Sequence, residues 1–124
     1  MNYLVLIAYD MKKILQIKPL TVNRAWQGKR FKTQDYKDYE KEVFYSLKGI
    51  KKVSGFVEVN YRFNLIHFST SDLGNFEKPL TDIIVKSGLI DDDRFILKMT
   101  MQKFKSDKNS IEIEILPANG ISGK

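Results

Sequence analysis

Apolar and polar residues alternate strictly between Val57 and Asn64. A period of two predicts a β-strand that buries one face. A helical period follows over about residues 75–86, with Gly88 in the position of a C-cap. A half-buried strand followed by an amphipathic helix restricts the chain to folds in which helices cover one face of a sheet.

The remaining elements follow from the same patterns. Residues 14–17 are predicted as a strand, and Thr33 is predicted to N-cap a helix that ends near Gly49. Residues 95–101 and 110–116 are predicted as two further strands. The order β-α-β-α-β-β predicts an α+β fold: a small mixed β-sheet with two helices packed on one face.

The 124 residues are expected to form a single domain over residues 11–116, with a flexible tail at 117–124. Residues 1–10 are expected to be an N-terminal extension or an edge strand. Their apolar run, residues 3–9, is too short to span a membrane and lacks the preceding basic residues of a signal peptide. We therefore expect a cytoplasmic protein with no membrane partner.

Composition narrows the kinds of site that the chain can carry. There is no cysteine and a single histidine, His67, which excludes disulfides, thiolate zinc sites and multi-histidine metal sites. His67 is expected to be structural, since it follows a strand. The net charge of +6 and pI near 9.4 favour a polyanionic partner, either nucleic acid or an anionic membrane surface.

Acidic residues flank the predicted helix of residues 75–86. Asp72 precedes the helix, residues 91–93 are three consecutive aspartates after it, and Lys78 lies within it. If the chain doubles back, these carboxylates meet at one edge of the sheet. Asp72 with Asp92 or Asp93 then meets the minimum for magnesium, and Lys78 can contact a scissile phosphate. The alternative is an ordinary helix cap, an aspartate-rich turn and a solvated lysine.

Two basic segments are candidates for contacts with nucleic acid. Residues 24–32 contain four cations together with Trp26 and Phe31, a mixture that suits phosphate contact plus base stacking. The alternative is a loop whose Trp26 packs on the core. The predicted turn containing Lys103, Lys105 and Lys108 is a weaker candidate.

Residues 72–93 resemble the signature of the RusA family of Holliday junction resolvases, found in phages and prophages. That signature is D-x-D-N-x-x-K, an Asp four residues later, a Gly and a D-D pair. The matching residues are Asp72, Asn75, Lys78, Asp82, Gly88, Asp92 and Asp93. Residues 19–24 also resemble the family's P-x-x-x-N-R segment, and the similarity extends over about residues 14–116.

The resemblance implies a homodimeric, Mg²⁺-dependent endonuclease, with Mn²⁺ as an alternative metal, that nicks opposing strands of a four-way DNA junction. The residues it implies for catalysis are Asp72, Lys78 and Asp93, and those for metal binding are Asp72, Asp92 and Asp93. The residues expected to bind DNA are Asn23, Arg24, Lys29, Arg30, Lys32 and Lys78. The Asp72 and Asp93 carboxylates are then expected to lie about 4–6 Å apart.

One position departs from the family pattern. Gly74 stands where the family has its second aspartate, so an expected metal ligand is missing. Asp72, Asp93 and water can suffice, or Glu77 or Asp92 can substitute. Otherwise the chain is a branched-DNA-binding protein with weak or no cleavage. A basic adaptor with no nucleic-acid role is the third interpretation.

Overall fold

The computed structural model describes residues 12–27 and 31–118. Residues 1–10, with their predicted extension or edge strand, lie outside the described residues, as does most of the predicted tail. The elements, in chain order, are β1 (Lys12–Leu15), α1 (Val22–Ala25), β2 (Trp26–Gln27), β3 (Phe31–Lys32), α2 (Gln34–Ser46), β4 (Val57–Leu65), α3 (Gly74–Ser87), a 3₁₀ turn (Asp93–Phe95), β5 (Ile96–Lys105) and β6 (Ser110–Pro117).

The main sheet has the strand order β1-β6-β4-β5. β4 pairs in parallel with β5, and α3 lies in the connection between them. β6 pairs antiparallel with β4 on one side and with β1 on the other. The predicted α+β fold with a small mixed sheet is confirmed. The consecutive strands β5 and β6 are not neighbours, because β4 lies between them.

The core lies between one face of this sheet and the two long helices. The apolar residues of β4 face α3, and the rings of Phe63 and Phe76 pack with centroids 5.2 Å apart. The Tyr61 hydroxyl and Thr81 Oγ1 form a buried hydrogen bond of 2.8 Å between the same two elements. Burial raises the pKa of the Tyr61 phenol, so it stays protonated at neutral pH. These contacts hold α3 rigidly on β4.

Both predicted caps are confirmed. The Thr33 side chain accepts a hydrogen bond from the Tyr36 N–H at 3.1 Å at the start of α2. Gly88 ends α3 with φ of 86°, a left-handed conformation that glycine adopts without strain. No helix within the described residues is long and apolar enough to cross a membrane.

Two segments differ from expectation. The basic segment of residues 24–32 contains the end of α1 and the short antiparallel pair β2–β3, and the Thr33 hydroxyl holds it by donating to the Arg24 carbonyl at 2.5 Å. Lys103 and Lys105, predicted in the last turn, belong to β5 instead. The strand continues because it pairs with β4 as far as Leu65.

Candidate catalytic site

Lys78 lies on α3 between two carboxylates. Its Nζ is 2.9 Å from Asp82 Oδ1, one helical turn on, and 4.0 Å from Asp93 Oδ2, beyond the helix. The hydrogen bond to Asp82, followed by the charges of Asp82, Asp93 and Glu77, raises the pKa of Lys78 above its usual value of 10.5. The lysine is therefore an exposed cation of α3 that lies between the Asp82 and Asp93 carboxylates.

Asp92 and Asp93 enter the 3₁₀ turn that leads into β5. The Phe95 N–H donates to the Asp92 carbonyl at 3.1 Å, and the Ile96 N–H donates to the Asp93 carbonyl. The Asp93 side chain is 53% exposed. Contact with the Asp93 side chain and hydrogen bonds from the Asp93 and Arg94 N–H groups lower the pKa of Asp92. Two adjacent carboxylates at an exposed turn favour a bound cation, because like charges repel.

Asp91 has a different role from its two neighbours. Its Oδ2 accepts a 2.9 Å hydrogen bond from the Gly55 N–H, and its Oδ1 lies 3.2 Å from Lys52 Nζ. The Gly55 hydrogen bond and the Lys52 ammonium lower the pKa of Asp91. This aspartate holds the turn before β4 and is separate from the Lys78 cluster.

Asp72 lies in the loop that leads into α3. Its side chain is exposed, and its Oδ1 accepts a 3.1 Å hydrogen bond from the Gly74 N–H. Its carbonyl accepts from the Asn75 N–H at 3.1 Å. The N-cap residue of α3 is Leu73, so Asp72 is not the cap itself, although its carboxylate accepts from the first N–H of the helix. This bond fixes the direction of the carboxylate, as a metal ligand requires.

The Cα–H of Gly74 that a side chain would replace lies beside the same carboxylate. A Cβ built on Gly74 would lie 3.7 Å from Asp72 Oδ1, an ordinary van der Waals distance. Gly74 is the first residue of α3, and its φ is not positive. The backbone therefore accepts any L-residue here, and a side chain at position 74 would begin beside Asp72.

The donor set suits a hard cation that keeps much of its water. Within residues 12–27 and 31–118, no group of three or more His, Cys, Asp or Glu side chains is arranged to hold a metal. Asp72, Asp92 and Asp93 thus do not form a ready three-carboxylate cage, and the expected separation of Asp72 and Asp93 stays a prediction. Exposed carboxylate oxygens nevertheless fit magnesium, which is often held by one or two carboxylates together with substrate phosphate.

A cleft of about 610 Å³ opens beside Asp72. Asp72 and Asn75 line one side, and Pro19, Thr21 and Arg24 line another. The segment that resembles P-x-x-x-N-R therefore shares a cleft with the start of α3. His67 is exposed and also lines this cleft, although it was expected to have a structural role only.

The family model for endodeoxyribonuclease RusA matches residues 17–116. The chain belongs to the RusA family. The matched range contains the whole Lys78 cluster, the Asp72 loop and all elements from α1 to β5. A search of the curated proteins gave no match.

The residues expected to bind DNA in this RusA-family endodeoxyribonuclease differ in their exposure and in their ion pairs. Asn23 is exposed on α1. Arg24 is also exposed but pairs with Asp35, with Nη2 3.1 Å from Oδ2. Lys32 lies 3.6 Å from Glu40, which also binds Lys86 at 3.0 Å. Lys29 and Arg30 lie outside the described residues. The structure thus brings Lys32 and Lys86 together on one carboxylate.

Lys103 was predicted to lie in a turn, and this placement is wrong because the residue belongs to β5. It is only partly exposed, and its Nζ donates to the carbonyls of Phe68 at 2.9 Å and Ser71 at 2.7 Å. The sequence pattern already indicated that Lys103 belongs to a strand. Lys103 is in phase with Met99 and Met101, so the period of two places it on the covered face of the RusA-family sheet.

Proposed function

We propose that this RusA-family endodeoxyribonuclease is a Mg²⁺-dependent, structure-selective enzyme that resolves four-way DNA junctions by paired nicks. The observation that carries the proposal is the position of Lys78, 4.0 Å from Asp93 and on the helix that begins beside Asp72. A cation beside exposed carboxylates is the arrangement that hydrolysis of a phosphodiester needs.

Each residue has a distinct task in this proposal. Asp72 and Asp93, assisted by Asp92, would hold the cation. When bound, Mg²⁺ supplies a nucleophilic hydroxide and shields charge on the phosphate oxygens. Lys78 binds the scissile phosphate as a point charge, and Asp82 orients the ammonium through its 2.9 Å contact.

Paired nicks need two sites, so the active species is proposed to be a C2 homodimer. Each protomer would present one Asp72–Lys78–Asp93 site to one of two opposing strands. Asn23, Arg24, Lys29, Arg30 and Lys32 are proposed to hold the junction arms through phosphate contacts. Mn²⁺ is the alternative metal, and the cytoplasm is the proposed compartment.

The second candidate function is binding of branched DNA with weak or no cleavage. Two observations favour it: Gly74 lacks the side chain that the family pattern has, and the described residues contain no three-carboxylate group. Glu77, in the first turn of α3, is the proposed substitute ligand in the active alternative. The two functions differ only in whether Mg²⁺ produces nicks.

The test is cleavage of a labelled four-way junction with and without Mg²⁺. Wild-type protein should nick only with the metal. The nicking rate should fall about 100-fold or more in each of D72N, D93N and K78M, because each change removes one group that stabilises the transition state. D107N, which removes an exposed carboxylate in the turn before β6, is the matched control and should nick normally. Binding by the wild type with no nicks in Mg²⁺ or Mn²⁺ would establish the binding-only function.

A further inference from the structure

The ammonium group of Lys103 is partly buried and bonds to main-chain carbonyls. Its Nζ donates to the Phe68 and Ser71 carbonyls at 2.9 and 2.7 Å, and it lies 4.7 Å from the centre of the Phe68 ring. Two of the three ammonium donors are thus used on main-chain oxygens. A partly buried ammonium is costly unless it is hydrogen-bonded, so these contacts must form for the residue to lie there.

The two carbonyls belong to the loop between β4 and α3, which ends at Asp72. The Ser71 carbonyl is in the same planar peptide unit as the Asp72 nitrogen. Holding that oxygen therefore fixes the orientation of the peptide from which Asp72 begins. Lys103 itself is fixed because β5 is paired with β4 opposite Phe63.

Other bonds close this loop locally but do not fix it to β5. Ser71 Oγ donates to the His67 carbonyl at 2.6 Å, and the Ser71 N–H bonds to the Phe68 carbonyl at 3.4 Å. Asn109 Oδ1 accepts from the Ile66 N–H at 3.0 Å, at the start of the loop. Phe68 and Leu73 also pack against the core, but within residues 12–27 and 31–118 the hydrogen bonds that join the Asp72 end of the loop to the sheet come from Lys103.

We propose that Lys103 is a positioning residue for the reaction, fixing the loop so that the Asp72 carboxylate is held ready for the metal and substrate. This inference rests on the proposed function for its catalytic consequence. It does not require Lys103 to contact DNA, because its ammonium is already bonded within the chain. Loss of a group that orients a metal ligand typically reduces metal affinity or activity by about 10–100-fold.

The variants are K103M, which removes the donors and keeps the chain length, and K103R, which retains donors. K98M is the matched control, since Lys98 is exposed on the same strand. K103M should raise the Mg²⁺ concentration for half-maximal nicking, and weaken Mn²⁺ binding by calorimetry, about 10–100-fold. Its affinity for the junction should change less than about twofold, as for K98M, because neither loses a phosphate contact. K103R should recover part of the loss.

Two further measurements separate positioning from general destabilisation. In D72N protein, adding K103M should reduce nicking no further, because the residue acts through Asp72. In metal-free protein, backbone order parameters of residues 68–74 should fall below about 0.6 in K103M and stay near 0.85 in K98M. The order parameters do not depend on activity and test the positioning even if the wild type proves inactive, which would contradict only the proposed function. K103M with normal loop order or normal metal dependence would overturn the inference. If K103M does not fold, K103Q replaces it in the same measurements.

Discussion

Lys78 has two carboxylates within reach and is bonded to only one of them. Asp82 holds the ammonium at 2.9 Å, whereas Asp93 lies at 4.0 Å. Asp82 is therefore the closer partner of the lysine, and its hydrogen bond is the largest cause of the raised pKa of Lys78. In the proposed enzyme, this arrangement leaves Asp93 available to the cation while the lysine stays beside the phosphate.

We predict that D82N lowers the pKa of Lys78 toward 10.5, because its largest cause of elevation is removed. In the wild type, the raised pKa of Lys78 contributes to the free energy of unfolding, because the charged lysine is favoured in the folded state. This contribution is complete below pH 10.5 and is lost as the pH rises through the folded-state pKa. NMR titration of the Lys78 side chain measures both values. An unchanged pKa in D82N would show that Asp82 does not control the lysine.

A second prediction concerns Gly74, whose Cβ position lies 3.7 Å from Asp72 Oδ1. G74D should reduce the Mg²⁺ concentration for half-maximal nicking and raise the rate, because it places a second carboxylate beside the first. G74N is the control, with similar size and no charge. Junction cleavage at varied Mg²⁺ is the measurement. If the two variants behave alike, position 74 does not face the metal.

At the scale of single elements, the features that could be predicted from the sequence are those that depend on local interactions. Thr33 and Gly88 were predicted as caps and are caps, because a cap depends on its immediate neighbours. Residue spacing did not separate Asp91 from Asp92, and only the family resemblance did, because the physical difference is a bond to Gly55, 36 residues away. The placement of β4 between β5 and β6 was equally hidden, because strand order depends on tertiary contacts.

Thr33 joins α1 to α2, and this gives a prediction for α2. Its side chain caps the helix and also donates to the Arg24 carbonyl of α1 at 2.5 Å. T33A should lower the free energy of unfolding by about 1–2 kcal/mol, the upper part of the range for a lost N-cap. T33S keeps the hydroxyl and should lose less. Urea denaturation measures both, and equal losses would assign the effect to the methyl group.

At the scale of the whole molecule, the family match, the basic charge and the site all bear on assembly. The proposed paired nicks need two copies, so light scattering should give about twice 14.5 kDa at micromolar concentration. A second prediction for the whole molecule concerns the contribution of Arg24 to the binding of junction DNA. R24A should flatten the salt dependence of junction binding by about one unit of slope, the share of one phosphate contact. A 14.5 kDa species both with and without junction DNA would contradict the dimer.

The central position of β6 has a consequence for synthesis of the chain. β1 and β4 both pair with β6, so a nascent chain that has not yet released residues 110–117 from the ribosome has no continuous sheet. Such a chain already contains Asp72, Lys78 and Asp93 but lacks the strand that joins β1 to β4. Because folding must wait for these distant contacts, the nuclease is expected to be inactive until residues 110–117 have left the ribosome. An incomplete chain would then pose no threat to the DNA of the cell that makes it.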